Sequence, residues 1–135
     1  DARQVQSLDV AGLIISNHGG RTLDTAPATA QALPLIRAAV GGEWPLIVDG
    51  GIRRGTDVLK AIALGADAVM IGRPMVHALA TGGALAVARM LRLLRDELEM
   101  AMALTGCRTL ADAGRQLLDP AVEARPDTFS APDRM

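Results

Sequence analysis

Three short apolar runs punctuate the chain, and each passes into glycine and then into a helical pattern. They are AGLIIS (residues 11–16), PLIVD (residues 45–49) and DAVMIG (residues 67–72). All three are rich in Ile, Val and Leu with little alternation, the pattern of strands buried on both faces, as in a parallel sheet. Between them the spacing predicts helices. ATAQALPLIRAAV (residues 28–40) carries apolar positions at helical intervals, with Pro34 kinking the helix or shifting its start. GTDVLKAIALG (residues 55–65) reads more cleanly: Thr56 or Asp57 caps it, Val58, Leu59 and Ile62 form the buried stripe, and Gly65 ends it. After the third run come a short helix over residues 75–80, a turn at TGG, and a long amphipathic helix over residues 84–104. Val87, Leu91, Leu94, Leu98 and Met102 form its apolar side, with Arg92, Arg95, Asp96 and Glu99 opposite, until TGC breaks it. No helix is expected before the first strand. Strand and helix in alternation mean successive βα units, an α/β fold. The domain is expected to cover residues 1–119, and the Pro-, Asp- and Arg-rich residues 120–135 to form a flexible tail.

Composition adds exclusions. The formal net charge of −1 over 135 residues gives no electrostatic reason to expect nucleic acid or an anionic membrane as partner. A lone cysteine, Cys107, cannot form an internal disulfide, which points to a reducing, cytoplasmic setting. No uninterrupted apolar run reaches the roughly 18 residues of a membrane span, and no basic apolar leader is visible. A first residue Asp1, one Trp, one Phe and no Tyr read as a piece of something larger. The methionines read as core packing. His77 is expected to be partly buried or at a subunit surface, and Cys107 is given no redox role.

The candidate chemistry lies where the strands end. In parallel α/β folds, ligands bind beyond the carboxyl ends of the strands, and here those ends read SNHGGR, DGGIRRG and GRP. Gly50 and Gly51 let backbone N–H groups approach an anion with no Cβ in the way, and Arg53 or Arg73 adds charge-assisted bonds to phosphate. The plainer alternative is that these are tight turns with solvated arginines. Three such loops after consecutive strands favour one assembled site. In the first loop His18 can exchange a proton near neutral pH, and Arg21 offers a fork suited to a carboxylate. An isolated histidine would be read as structural. Asn17, Gly19, Gly20 and Arg21 beside it reverse that preference.

SNHGGRTLD followed by PLIVDGGIRRGTDVLKAIALGADAVMIGRP closely resembles the carboxy-terminal part of the FMN-dependent 2-hydroxy-acid oxidases and dehydrogenases, a family that includes glycolate oxidase, lactate oxidase and dehydrogenase, and mandelate dehydrogenase. The similarity runs from about Ala11 to Cys107. It implies that the strands are about the sixth to eighth of a (β/α)8 TIM barrel, incomplete in this chain, with FMN at the carboxyl rim. By resemblance His18 is the active-site base and, with Arg21, binds the substrate. Ser16 contacts the flavin; Asp49, Gly50, Gly51, Ile52 and Arg53 surround the ribityl phosphate; and Gly72 with Arg73 completes the phosphate site. The implied reaction oxidises an (S)-2-hydroxy acid to a 2-oxo acid and passes electrons to oxygen or to a quinone or cytochrome. The resemblance also implies a homo-oligomer, a tetramer when full length, and is compatible with peripheral membrane association. Thr22 departs from the glutamine usual in the family. The family's flavin-facing lysine and substrate-side tyrosines have no counterpart, since Lys60 is the sole lysine and tyrosine is lacking. The fragment alone is therefore expected to be inactive. A non-catalytic FMN- or phosphate-binding remnant is the alternative, and a nitronate oxidase or IMP dehydrogenase relative is disfavoured by SNHGGR.

Overall fold

A computed structural model describes residues 1–118 of the chain. It is an open α/β layer: three parallel strands, β1 (Leu13–Ile15), β2 (Leu46–Asp49) and β3 (Ala68–Met70), in the order β1-β2-β3. The helices are α1 (Ala2–Gln6), α2 (Thr29–Val40), α3 (Gly55–Ala63) and α4 (Arg73–Thr105). The expected boundary at residue 119 and the expected tail over residues 120–135 lie outside the described residues.

The strands occupy the centres of the three apolar runs, but they are not buried on both faces. Leu13 pairs with Leu46, Ile15 with Val48, and Val48 in turn with Val69, forming the face that α2 and α3 cover. Leu33 from α2 and Val58 and Ala61 from α3 complete that core, with Leu33 and Leu46 fully buried. On the other face Ile14 lies against Ile47 and Ala68, and Asp49 against Met70. Ile14 is 52% exposed and Met70 44%. Among the described residues, helices cover only one of the two apolar faces.

Local sequence explains the helices, with corrections to the expected ends. The short helix α1 precedes β1, where none was expected; Arg3 Nε and Gln6 Nε2 donate to the carbonyls of Ala39 and Val40, 3.0 Å each, and hold it against the end of α2. α2 runs through Pro34 to Val40. α3 begins at Gly55 after the N-cap Arg54, so neither Thr56 nor Asp57 is the cap. Asp57 instead reaches back from the third helical position, its Oδ2 accepting the N–H groups of Arg53 and Arg54 at 3.0 Å each. Ile62 is half-buried, and Ala61 and Ala63 join the buried stripe. Gly65, at φ 108°, follows the end of α3, and a Cβ there would lie 2.9 Å from Arg37 Cγ.

α4 starts earlier than expected, at Arg73, and is interrupted by non-helical backbone at Gly82 and Gly83, where the sequence predicts a turn. Gly106, at φ 75°, terminates it. Its second half packs on α3 so closely that a Cβ on Gly55 would lie 2.1 Å from Leu98 N, a Cα-to-backbone approach only glycine permits. Glu97 Oε2 accepts the Gly55 N–H at 2.9 Å, placing a carboxylate at the positive end of α3. Leu94 and Leu98 reach the core as predicted, whereas Leu91 is exposed. By length and average composition alone α4 is long and apolar enough to cross a membrane, although it is interrupted at Gly82–Gly83 and holds no uninterrupted apolar run of that length. The methionine reading also needs correction. Met102 packs in the smaller cluster with Leu59, Ala101 and Cys107, but Met70, Met75 and Met100 are exposed on the open sheet face and on α4. His77 is exposed and Cys107 buried.

The two rims of the sheet differ. At the amino-terminal rim Arg37 donates to the carbonyls of Gly65 and Gly41 at 2.8 Å and of Trp44 at 2.9 Å, and pairs with Asp67 at 2.5 Å. Asp67 also accepts the Leu46 N–H at 2.7 Å. One guanidinium thus staples α2, β2 and the turn into β3, and leaves the opposite rim to be shaped by glycines.

Candidate active site

Parallel pairing puts the carboxyl ends of β1, β2 and β3 on one rim, so all the residues singled out from the sequence fall on the same side of the sheet. The β1 loop is a single 3-10 turn, His18–Gly20, with Asn17 ahead of it and Arg21 after it. Its backbone is left-handed throughout: φ is 53° at His18, 68° at Gly19 and 75° at Gly20. The two glycines tolerate this freely. His18 does not, because its Cβ crowds the backbone there, and strain of this kind persists only where surrounding bonds fix it.

Those bonds are visible. Ser16 Oγ donates to Asp49 Oδ2 at 2.5 Å and accepts the His18 N–H at 3.1 Å. Asn17 Oδ1 accepts the Gly19 N–H at 3.1 Å, Asn17 Nδ2 donates to the Pro27 carbonyl at 3.4 Å, and Gly20 N–H closes the turn on the Asn17 carbonyl at 3.0 Å. The β1 loop therefore spends its own amides internally. His18 and Arg21 are exposed, and Arg21 has no ion-pair or hydrogen-bond partner among the described residues.

The β2 loop is built the other way round. Gly50 and Gly51 sit at φ 97° and 82°, and the N–H groups of Gly51 and Ile52 have no acceptor among the described residues. Ile52 is buried and anchors the loop, while Arg53 is exposed and gives its N–H to Asp57. Thr29, buried at the start of α2, donates to the Gly50 carbonyl at 3.4 Å. After β3, Gly72 precedes α4 and Arg73 begins it, followed by Pro74, which has no N–H to spend. The Arg73 guanidinium crosses the rim to the β1 loop, where a Cβ on Gly19 would lie 3.6 Å from its terminal nitrogen. Gly19 is thus the open seat against which the cation rests.

A cavity of about 400 Å³ opens between these loops and the α2 and α3 helices. Asn17, Gly19, Gly50, Gly51 and Arg73 border it, and Leu33, Val48 and Ile52 give it an apolar floor. The arrangement offers unpaired backbone donors at the β2 loop, a guanidinium and a helix amino terminus, which together suit a phosphate. The residues present therefore fit a phosphate-bearing cofactor. Asn17, Thr29, Asp57 and Lys60 also line this cavity and were not among the candidates from sequence. Asn17 was visible in the SNHGGR loop, and Asp57 and Lys60 share a helix face at a spacing of three residues. Thr29 carried no signal, because its contact with Gly50 is tertiary.

The profile for FMN-dependent dehydrogenases matches residues 1–120, and the chain belongs to that family. It is 55% identical over 120 residues to an L-lactate oxidase of Alicycliphilus denitrificans, covering 89% of this chain and 33% of that protein. It is 52% identical to a 2-hydroxyacid oxidase of Dictyostelium discoideum (87% of this chain, 30% of that one) and 52% identical to glycolate oxidase 1 of Zea mays (86% and 31%). A crystal structure of a mandelate oxidase superposes with a TM-score of 0.82 at 49% identity, covering 85% of this chain and 34% of that chain. The chain thus spans about a third of the length of the relatives it matches.

Proposed function

We propose that this chain forms the sixth to eighth βα units of an eight-stranded barrel that oxidises an (S)-2-hydroxy acid to a 2-oxo acid with FMN. The observation that carries this reading is the meeting of two chemistries on one rim: a strained, exposed His18 followed by the unpaired Arg21, and the Arg73 guanidinium resting on Gly19 beside the free amides of Gly51 and Ile52. FMN supplies a two-electron acceptor when bound. The chain's own residues bind and orient. Gly50, Gly51, Ile52, Arg53, Gly72 and Arg73 would hold the phosphate end, and Ser16 and Asp49 the adjoining part of the cofactor. Arg21 would grip the substrate carboxylate with two parallel bonds, and the His18 imidazole would receive the proton lost as the hydroxy acid is oxidised. Oxygen is the favoured final acceptor, since the relatives are named oxidases. A reducing, cytoplasmic location and a homo-oligomeric full-length state belong to the same reading.

The experiment joins this chain to the amino-terminal part of the Alicycliphilus denitrificans L-lactate oxidase, completing the barrel. The completed protein is expected to bind FMN and to bleach it anaerobically with lactate, glycolate or mandelate. Replacing His18 by Ala should slow bleaching by about 10³-fold while FMN stays bound. A completed protein that binds FMN but bleaches with no hydroxy acid would sink the reading and leave a cofactor-binding remnant.

A further inference from the structure

Nothing in the proposed chemistry uses Asn17, yet this half-buried side chain sits at the junction of three segments. Its Oδ1 accepts the Gly19 N–H at 3.1 Å, which bridges directly over His18. Its Nδ2 donates to the Pro27 carbonyl at 3.4 Å, tying the β1 loop to the segment that leads into α2. A Cβ on Gly50 would lie 3.4 Å from the same Oδ1, so the amide also packs on the open side of the β2 loop. One residue upstream, Ser16 Oγ makes the matching bond to the His18 N–H. Two successive side chains thus each capture the amide two residues ahead, on either side of a histidine at φ 53°.

The physical consequence follows from the cost of that φ. Left-handed backbone is unfavourable for a residue with a Cβ. A short Asx turn bonds the amide two residues ahead, and here it closes with His18 held left-handed. Without it, His18 has a competing, more relaxed backbone, and its ring leaves the direction in which a proton can be taken. We propose that Asn17 is a positioning residue, which locks His18 in its left-handed conformation by accepting the Gly19 N–H and so fixes where the imidazole points. This rests on the reading of His18 as the base.

The test uses the completed barrel and three variants. Asn17→Ala removes acceptor and donor, Asn17→Leu removes them while keeping the side-chain volume, and Asn17→Ser restores a short acceptor that forms the same kind of turn. With FMN retained, Asn17→Ala and Asn17→Leu should lower kcat by about 100-fold with KM within about twofold, since a misplaced base slows the step without loosening the carboxylate grip. Asn17→Ser should recover most of kcat. Crystal structures of Asn17→Ala and Asn17→Ser read the same point without turnover: His18 should leave the left-handed region in the first and stay there in the second. The inference is overturned if Asn17→Ala keeps kcat within about threefold, if Asn17→Ser is as slow as Asn17→Ala, or if His18 keeps its φ in Asn17→Ala. Loss of FMN from all three variants would also overturn it, by making Asn17 a determinant of the fold. An inactive parent protein would defeat the proposed function alone, and the two crystal structures would still decide the clamp.

Discussion

Arg21 and Asp112 show how differently two exposed charged residues behave. Arg21 follows the β1 turn with no partner among the described residues, so its guanidinium is free for an incoming carboxylate. Replacing it by Lys keeps the charge and loses the planar fork. In the completed barrel this should raise KM by about tenfold, with a smaller effect on kcat, in steady-state assays with lactate. Asp112 has found its partners: Oδ2 accepts the Thr109 N–H at 2.7 Å and the Thr109 hydroxyl at 3.1 Å. Its pKa is lowered, first by the Thr109 backbone bond and then by the hydroxyl. A carboxylate lowered on folding contributes stability that is present above the ordinary carboxylate range and is lost as pH falls through its own depressed pKa. Urea midpoints of the completed protein with Asp112 and with Asp112→Asn should therefore differ at neutral pH and converge in acid. An equal gap at every pH would contradict this. At this scale the sequence named candidates and said little of their contacts. His18, Arg21, Gly50, Gly51 and Arg73 could be singled out by residue type, whereas the seat of Arg73 on Gly19 depends on two loops more than 50 residues apart.

Among the elements, the α3–α4 contact is the most exacting. Gly55 is buried, and a Cβ there would meet Leu98 N at 2.1 Å, Glu97 C at 2.4 Å and Glu97 Cβ at 2.7 Å. Two of the three atoms are backbone and cannot swing aside. Gly55→Ala should thus destabilise the completed protein by about 3 kcal/mol, measured by chemical denaturation, because the helices must part. A loss below about 0.5 kcal/mol would mean the helices are not held at this distance. In sequence, Gly55 looks like an ordinary first residue of a helix. The strands were legible as continuous apolar runs, the long second half of α4 from periodicity, and the break at Gly82–Gly83 from composition. The true cap of α3 was not, because Asp57 works backwards from inside the helix. α1 was invisible, since its support is a pair of side-chain bonds to the far end of α2.

For the molecule as a whole, the open sheet face sets the outcome. Ile14 and Met70 stand in solvent on a face whose residues would be core if an opposing layer covered them, and among the described residues β1 and β3 are both unpaired on their outer edges. Such edges and faces invite association. The 135-residue chain by itself should therefore be weakly stable, bind a hydrophobic dye strongly, and fail to bleach FMN with lactate, glycolate or mandelate. Anaerobic spectrophotometry checks the last point, and measurable bleaching from this chain alone would overturn it. The stapled amino-terminal rim around Arg37 contrasts with the carboxyl rim, whose loops hold the candidate site.

The sequence by itself determined the alternation of strands and helices from β1 onward and the identity of the chemical groups at each strand end. Burial periodicity and glycine placement are local, so they are written where they act. Only the tertiary structure decided which of those groups meet: Arg73 with Gly19, Ser16 with Asp49, Asn17 with Gly50. It also decided that one sheet face stays open. Both depend on the register of parallel strands and the packing of distant helices, and no local pattern encodes either.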